Sequence, residues 1–366
     1  MKFIKDNLYG FIELDEIAQK IVDTPEFQRL RFIRQLGFSH FVFPGAHHSR
    51  FEHSIGVYHL INVFLDYLSK DYEIDERLKV IIAISGLIHD IGHVAFSHMF
   101  DDYIIPNIKK GVVHEYRSIQ LFRQINEKYD IGFIEKELQL ISKIILGKVD
   151  RKYPKFVFQI VANKKNELDL DKLDYLQRDC YYLGRHVSFD YKFLFRYAKI
   201  IDGEIAFHEK TSFTILSIFN TRYELHKKFY NHKTIILIEV MVKDALLKYS
   251  KVVDFAQMFQ NGEWLDLIDD VLFNNMLKHP KTKDIITRIM NRDLYKLLDN
   301  TKLKDRNMIR IDKHIGLTGQ KTNPMVYINF YEKKNPDTIF NMDMKEISIY
   351  DIYHSYEVET FLIERT

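Results

Sequence analysis

The clearest chemistry in this 366-residue chain lies in three short segments far apart in sequence: Arg50-Phe51-Glu52-His53, Gly86-Leu87-Ile88-His89-Asp90-Ile91-Gly92-His93, and Asp169-Leu170-Asp171-Lys172. His53, His89, Asp90 and Asp171 together offer imidazoles and carboxylates, a mixture that suits a divalent metal able to activate water. An uncompensated charge in an apolar helix is too costly to be casual, so a His-Asp doublet among Leu87, Ile88 and Ile91 implies a partner. The donor set has no thiolate and leaves room for water, which favours Fe, Mn, Mg, Co or Ni over a closed structural zinc.

An α-helix advances about 100° per residue. His89, Asp90 and His93 therefore share one third of a helix surface and can converge. His98 would fall on the opposite side and reaches the same pocket only if that helix ends near Gly92. Asp171, Lys172, Tyr175 and Asp179 fall on one face of a later helix, and Arg222, His226, Tyr230 and Lys233 on one face of another. Two such polar stripes would form opposite walls of a pocket for an anionic ligand, with cations aimed at phosphates. His40, His47, His48, His59, His186, His208, His279, His314 and His354 are assigned no role. Apart from Tyr175 and Tyr230, the aromatic residues read as core filling.

The elements that must position these residues are mostly helical. Glycine (14) and proline (7) are scarce, leaving little material for tight turns. Asp23-Thr24-Pro25-Glu26 carries an N-cap and first-turn proline for a helix running to Ile33. Apolar spacing predicts helices near 52–70, 76–93, 114–128, 133–146, 170–183, 190–199 and 211–250, then 263–278 and 283–299. Residues 308–312 and 326–331 alternate as strands do, and a strand pair near 204–215 is weakly indicated. The expected fold is mainly α, with a catalytic helical core over residues 1–250. Residues 251–366 would add a helical region and a small α/β appendage packed on that core.

Charge and cysteine usage narrow the function classes. Basic residues (53) and acidic residues (51) nearly balance, so no global field draws the chain to nucleic acid or a membrane. Cys180 stands alone and reads as a small buried side chain, which fits a reducing cytoplasm. The N-terminus is too polar for a signal peptide, and no run approaches the roughly 18 apolar residues of a membrane span.

The order of a lone His, a His-Asp doublet and a distant Asp is the pattern of HD phosphohydrolases. The chain resembles one branch closely, the HD-domain dNTP triphosphohydrolases, which include the sterile-alpha-motif and HD-domain protein of animals. The likeness rests on residues 21–31, 35–37, 42–46, 50–56, 89–100, 169–179 and 222–233, with a fainter match at Lys321-Thr322-Asn323-Pro324. It begins near residue 5, so no sterile-alpha-motif module is expected.

The resemblance implies an HD-domain core that hydrolyses deoxynucleoside triphosphates to deoxynucleoside and triphosphate in a metal-dependent reaction. It makes His53, His89, Asp90 and Asp171 the metal ligands. Arg50 would clamp the α-phosphate, His98 would protonate the leaving 5′ oxygen with Asp101 supporting it, and His93 and His114 would complete the acid/base and phosphate shell. Lys172 and Arg222 would hold the outer phosphates, while Gln35 and Asp179 read the sugar 3′-hydroxyl. Tyr175 would pack under the deoxyribose, with Leu36, His226, Tyr230 and Asn231 lining the rest of the substrate site. Asp23, Gln28 and Arg31 match residues that hold a guanine-nucleotide effector, and a homo-oligomer, dimer or tetramer, is implied.

Departures from the family pattern shape these expectations. Val94-Ala95 replaces Gly-Pro between two of the histidines, which bears on how His98 is presented. Asn231 replaces a longer Gln at the base edge. Phe193, His208 and Thr214 replace an Arg, an Arg and an Asn of a neighbouring activator pocket, so paired two-nucleotide activation is not expected. Two alternatives stay open: an HD phosphohydrolase for another nucleotide (an NTP, a dinucleoside polyphosphate or an alarmone), and a nucleotide-responsive, non-catalytic scaffold.

Overall fold

The computed structural model describes residues 2–108, 113–298, 308–343 and 356–366. The fold is mainly α, with small sheets at its edges. At its centre the Arg50–Leu68 helix packs against the Glu76–Ile88 and Leu170–Tyr182 helices. Each starts at a chemically legible cap: Asp75 accepts the Leu78 N–H at 2.9 Å, Asp169 accepts the Lys172 N–H at 3.1 Å, and Glu52 reaches back to the Ser49 N–H at 2.8 Å. The Arg50–Leu68 helix is buried nearly all round, as a central helix must be.

Two apolar cores meet at the site. The larger gathers Ile55, Leu60, Leu87, Leu173 and their neighbours. The second joins Phe38, Val94, Phe96 and Phe100 to Ile236, Met241 and Leu272. Residues on both sides of Lys251 share this second core. Among the described residues no helix is long and apolar enough to cross a membrane.

Several elements differ from the sequence expectation. The 76–93 helix stops at Ile88, so His89 ends it and Asp90–His93 lie in a turn. The helix expected from Pro25 to Ile33 is a four-residue turn, Pro25–Gln28, followed by a 3-10 turn, Arg29–Phe32. Arg29 is buried there and donates to the Ile91, His93 and Leu265 carbonyls, which pull it out of regular helix. Thr24, not Asp23, caps the turn, accepting the Phe27 N–H at 3.2 Å. The stretch 211–250 divides into Ser212–Leu225, a π-helical turn His226–Tyr230, and Lys233–Tyr249. Residues 263–278 likewise split into a 3-10 turn, Glu263–Asp266, and the Asp269–Lys278 helix, and the next helix stops at Met290.

The strands also moved. An N-terminal hairpin, Lys2–Asp6 with Gly10–Leu14, was not expected; it pairs antiparallel with Lys5 opposite Phe11. Ala198–Ile201 pairs with Glu204–His208, earlier than the weak indication at 204–215. Of 326–331, only Phe330–Tyr331 is strand, because Pro324 starts a 3-10 turn. Met308–Gly316 is a strand as expected, and it borders Tyr356–Glu364 at the centre of a three-stranded sheet.

Candidate active site

His53 comes from the Arg50–Leu68 helix, His89 and Asp90 from the end of the next helix, and Asp171 from the first turn of Leu170–Tyr182. His53 Nε2 lies 3.0 Å from Asp171 Oδ1 and 3.8 Å from Asp90 Oδ2. His89 Nε2 lies 3.4 Å from Asp90 Oδ1 and 3.5 Å from Asp171 Oδ1. Each imidazole has its other nitrogen pinned from behind. His53 Nδ1 meets Asp174 Oδ2 at 2.8 Å and His89 Nδ1 meets the Gly86 carbonyl at 2.7 Å. That fixes ring orientation and leaves both Nε2 lone pairs facing one point, the arrangement expected around a histidine-bound metal.

Asp174 is fully buried and shared. Arg178 donates to it at 2.9 and 3.0 Å and to Asp6 of the hairpin at 2.8 Å. Arg178 and His53 hold the Asp174 carboxyl down, at about 2, against the opposing effect of burial. Gly56 makes the arrangement fit, since a Cβ there would collide with Asp174 and Arg178.

Charge within the cluster is strongly perturbed. Burial alone would lower His53, but Asp171 and Asp174 outweigh it and raise the imidazole to about 10. Burial likewise opposes the charge on Asp90, yet His89 and Arg50 hold its carboxyl well below the usual range. A compact set of opposed charges with converging Nε2 atoms fits a divalent cation, which would take the place of the protons.

A second cluster adjoins the first. His93 stacks on His114, and His98 stands edge-on to both rings. His93 Nε2 is 3.4 Å from Asp90 Oδ1, and among the described residues neither His93 nitrogen has a hydrogen-bond partner. Burial and the nearby Arg50 push His93 well below its ordinary value. His98 opens a new short helix and faces the cavity; enclosure, then Arg50 and His114, push it down to about 4. Arg50 joins the clusters, donating to Asp90 and, through Nε, to Ser97 Oγ at 2.9 Å. Asp101 is paired with Arg117 at 2.6 Å and lies 3.4 Å from His114 Nδ1. These contacts place Asp101 beside His114 and Arg117 rather than behind the expected His98.

Both clusters line one cavity of about 730 Å³, together with Gln35, Leu36, Lys172, Tyr175, Asp179, His226 and Tyr230. That volume suits a ligand the size of a nucleotide. Asp179 is held by Tyr230 and, at 2.7 Å, by His48. His48 carries no role in the sequence reading, and among the described residues its buried Nδ1 has no partner. The π-helical turn shifts the register after Leu225, so the stripe expected through Lys233 does not form: Lys233 begins a separate, exposed helix start. Arg222 lies outside the cavity lining and donates to the Gly316 carbonyl at 2.8 Å. Asn231 is buried just beyond the turn.

The effector candidates sit elsewhere. Asp23 pairs with Lys2 on the surface, while Arg31 donates to Gln28 at 2.8 Å and lies over the Phe51 ring.

A fold of this kind, with a His/His-Asp/Asp cluster between central helices, defines an HD-domain protein. The HD domain model matches residues 50–179 and the HD associated region matches residues 189–316. The chain belongs to the HD-domain family, within the group that contains the SAMHD1-type proteins. It is 38% identical over 265 residues to a SAMHD1 homolog of Dictyostelium discoideum, described as a deoxynucleoside triphosphate triphosphohydrolase, covering 71% of this chain and 52% of that one. It is 38% identical over 286 residues to human deoxynucleoside triphosphate triphosphohydrolase SAMHD1, covering 69% and 45%. A putative HD domain-containing protein of Acanthamoeba polyphaga mimivirus is 40% identical over 258 residues, covering 65% and 56%. The chain thus spans about half the length of the curated relatives it matches.

Proposed function

We propose that the protein is a metal-dependent hydrolase that cleaves deoxynucleoside triphosphates to deoxynucleoside and inorganic triphosphate. The observation that carries this reading is the opening of both histidine clusters into one cavity, joined by Asp90 and Arg50. His53, His89, Asp90 and Asp171 would hold a divalent ion, Fe, Mn, Mg, Co or Ni, which lowers the pKa of bound water and polarises a phosphoryl oxygen.

The chain's own side chains then have separate tasks. Arg50 neutralises charge on the α-phosphate. His98 donates a proton to the leaving 5′ oxygen; a bound polyphosphate supplies the negative charge that raises its low pKa. His93 and His114, the latter steadied by Asp101, complete the phosphate shell. Lys172 takes the outer phosphates, joined by Arg222 if it leaves Gly316. Gln35 and Asp179 receive the 3′-hydroxyl, Leu36 and Tyr175 bound the sugar, and His226, Tyr230 and Asn231 close the base end. Asp23, Gln28 and Arg31 would form a guanine-nucleotide effector face in a homodimer or homotetramer. With one cysteine, buried, a cytoplasmic setting fits.

The test is to incubate Mn²⁺-loaded protein with each dNTP and NTP and to separate the products by chromatography. Deoxynucleoside and triphosphate are expected in one step. Orthophosphate or pyrophosphate as first product overturns the reading. Turnover of NTPs, dinucleoside polyphosphates or an alarmone instead would redirect the substrate, and bound metal without turnover would indicate a scaffold.

A further inference from the structure

Between the His89-Asp90 doublet and His98 the chain makes a bend for which its residues are poorly suited. Neither glycine nor proline occurs from Val94 to Ser97, yet Phe96 and Ser97 both take positive φ, 62° and 50°. Ser97 combines its positive φ with a ψ of −119°. Non-glycine residues persist in such conformations only where their surroundings over-determine them.

The restraint comes from a segment far along the chain. Ala95 N–H donates to the Leu267 carbonyl and Phe96 N–H to Asp269 Oδ1, both at 2.9 Å. The other Asp269 oxygen accepts the Arg34 N–H, also at 2.9 Å. Asp269 is 3% exposed and lies outside the matched HD domain. One buried carboxylate therefore fixes the backbone immediately before Gln35 and two residues before His98. Ser97, inside the strained turn, is also the residue whose hydroxyl accepts from Arg50 Nε.

We propose that Asp269 is a positioning residue: by clamping the Phe96 and Arg34 amides together it holds the strained turn that aims His98 and the Ser97–Arg50 pair into the cavity. The proposal rests on the reading of His98 and Arg50 as groups that act on the bound nucleotide. Asp269 touches neither substrate nor metal. Its two acceptor oxygens suit two backbone donors, which an alanine cannot replace and an amide replaces only in half. Misplacement of a catalytic group by about 1 Å is enough to lower turnover on the order of a hundredfold.

The experiment compares parent, Asp269→Ala, Ser97→Gly and the double variant, loaded with Mn²⁺ and assayed with dATP and dGTP. Asp269→Ala should lower kcat about 10- to 100-fold and KM by no more than about threefold. Mn²⁺ affinity, measured by calorimetry, should stay close to the parent value, because none of His53, His89, Asp90 and Asp171 lies between Val94 and Ser97, and Asp90 meets the turn through Arg50 rather than directly. Glycine adopts the turn without strain, so Asp269→Ala should lower kcat by a smaller factor in the Ser97→Gly background than in the parent. Should Asp269→Ala not fold at the assay temperature, Asp269→Asn, which retains one acceptor oxygen, is judged by the same criteria. An unchanged kcat in the folded variant, a parallel loss of Mn²⁺ affinity, or two substitutions that multiply independently would overturn the proposal. Full turnover by His98→Ala would instead remove the reading on which it rests, so the two failures are distinguishable.

Discussion

His53 Nε2 stands 3.0 Å from Asp171 Oδ1, across the contact between the Arg50–Leu68 and Leu170–Tyr182 helices. Without a metal this is a buried imidazolium–carboxylate pair, with His53 raised to about 10 and His89 raised as well. Metal ligation needs both rings neutral. Loading Mn²⁺ near pH 8 should therefore release the His53 proton, about one per ion, visible as a calorimetric heat that varies with the ionisation enthalpy of the buffer, and affinity should rise with pH. The stability of metal-free protein follows the same sign. A folded pKa above the unfolded value of about 6.5 gives stability that is fully present below pH 6.5 and lost as pH rises toward the folded value. Metal uptake with no proton release would show that these pairs do not exist in solution. Asp171→Ala or His89→Ala should bind no metal and hydrolyse nothing while remaining helical by circular dichroism.

Asp174 offers a second test of how the site is held. Asp174→Asn weakens the acceptor behind His53 and should reduce Mn²⁺ affinity about 10- to 100-fold. It also strips Arg178 of its main buried partner, which threatens the fold by about 3–5 kcal/mol. The double variant Asp174→Asn/Arg178→Met removes that stranded charge. It should recover much of the melting temperature without recovering metal affinity. If affinity returns along with stability, Asp174 serves the fold alone.

Within the candidate metal cluster only the His89-Asp90 doublet is adjacent; His53 and Asp171 stand on two other helices, and it is the order of a lone His, a His-Asp doublet and a distant Asp that joins them legibly in the sequence. Asp171, Tyr175 and Asp179 needed only helical spacing to fall on one wall. His93 does meet Asp90, but through a turn rather than the expected helix, and it groups with His98 and His114 rather than with His89, since Arg29 captures the Ile91 and His93 carbonyls that a continuing helix would use. The supporting residues were not legible. His53–Asp174, His48–Asp179 and Phe96–Asp269 are separated by 121, 131 and 173 positions, and only packing shows such pairs. Asp174 did leave a trace, an Asp–Arg spacing of i,i+4 with Arg178 on the helix that carries Asp171. The π-turn left none, because its extra residue sits inside an unbroken helical pattern.

Tyr175 lies one helical turn beyond Asp171 and lines the cavity, so its ring falls within reach of whatever the cluster holds. A rigid ring there leaves little space for a 2′-hydroxyl. Tyr175→Ala should narrow the preference for dATP over ATP by about tenfold while lowering dATP turnover less, as measured by kcat/KM for both nucleotides. A parent enzyme that hydrolyses ATP as fast as dATP would end this account of sugar selection.

His98 and the metal cluster should separate cleanly in mutagenesis. Replacing His98 removes the cavity-facing imidazole but none of the converging donors. His98→Ala is expected to bind Mn²⁺ like the parent and to lose about 10²- to 10⁴-fold in kcat. The residual product should still be triphosphate, identified by anion-exchange chromatography. Equal losses of metal and turnover would instead make His98 part of the metal site.

Control by a nucleotide hinges on Asp23. The residue does not cap the following turn, a task that Thr24 performs, and among the described residues its exposed carboxylate pairs with Lys2 from the hairpin. In the 3-10 turn that follows, Arg31 is steadied by Gln28 and by the Phe51 ring, with Phe51 next to Arg50 on the central helix. A guanine edge can donate to Asp23 in place of Lys2, while Arg31 pairs with its phosphates. Because Phe193, His208 and Thr214 do not supply cations and an amide for a paired second nucleotide, GTP alone should act, and basal activity should persist without it. Light scattering is expected to show an oligomer in both conditions. GTP should raise turnover in the parent but not in Asp23→Ala, whose stability should change little because its ion pair is exposed. A monomer in both conditions, with turnover indifferent to GTP and to Asp23→Ala, would leave Asp23 as a surface partner of Lys2 and nothing more.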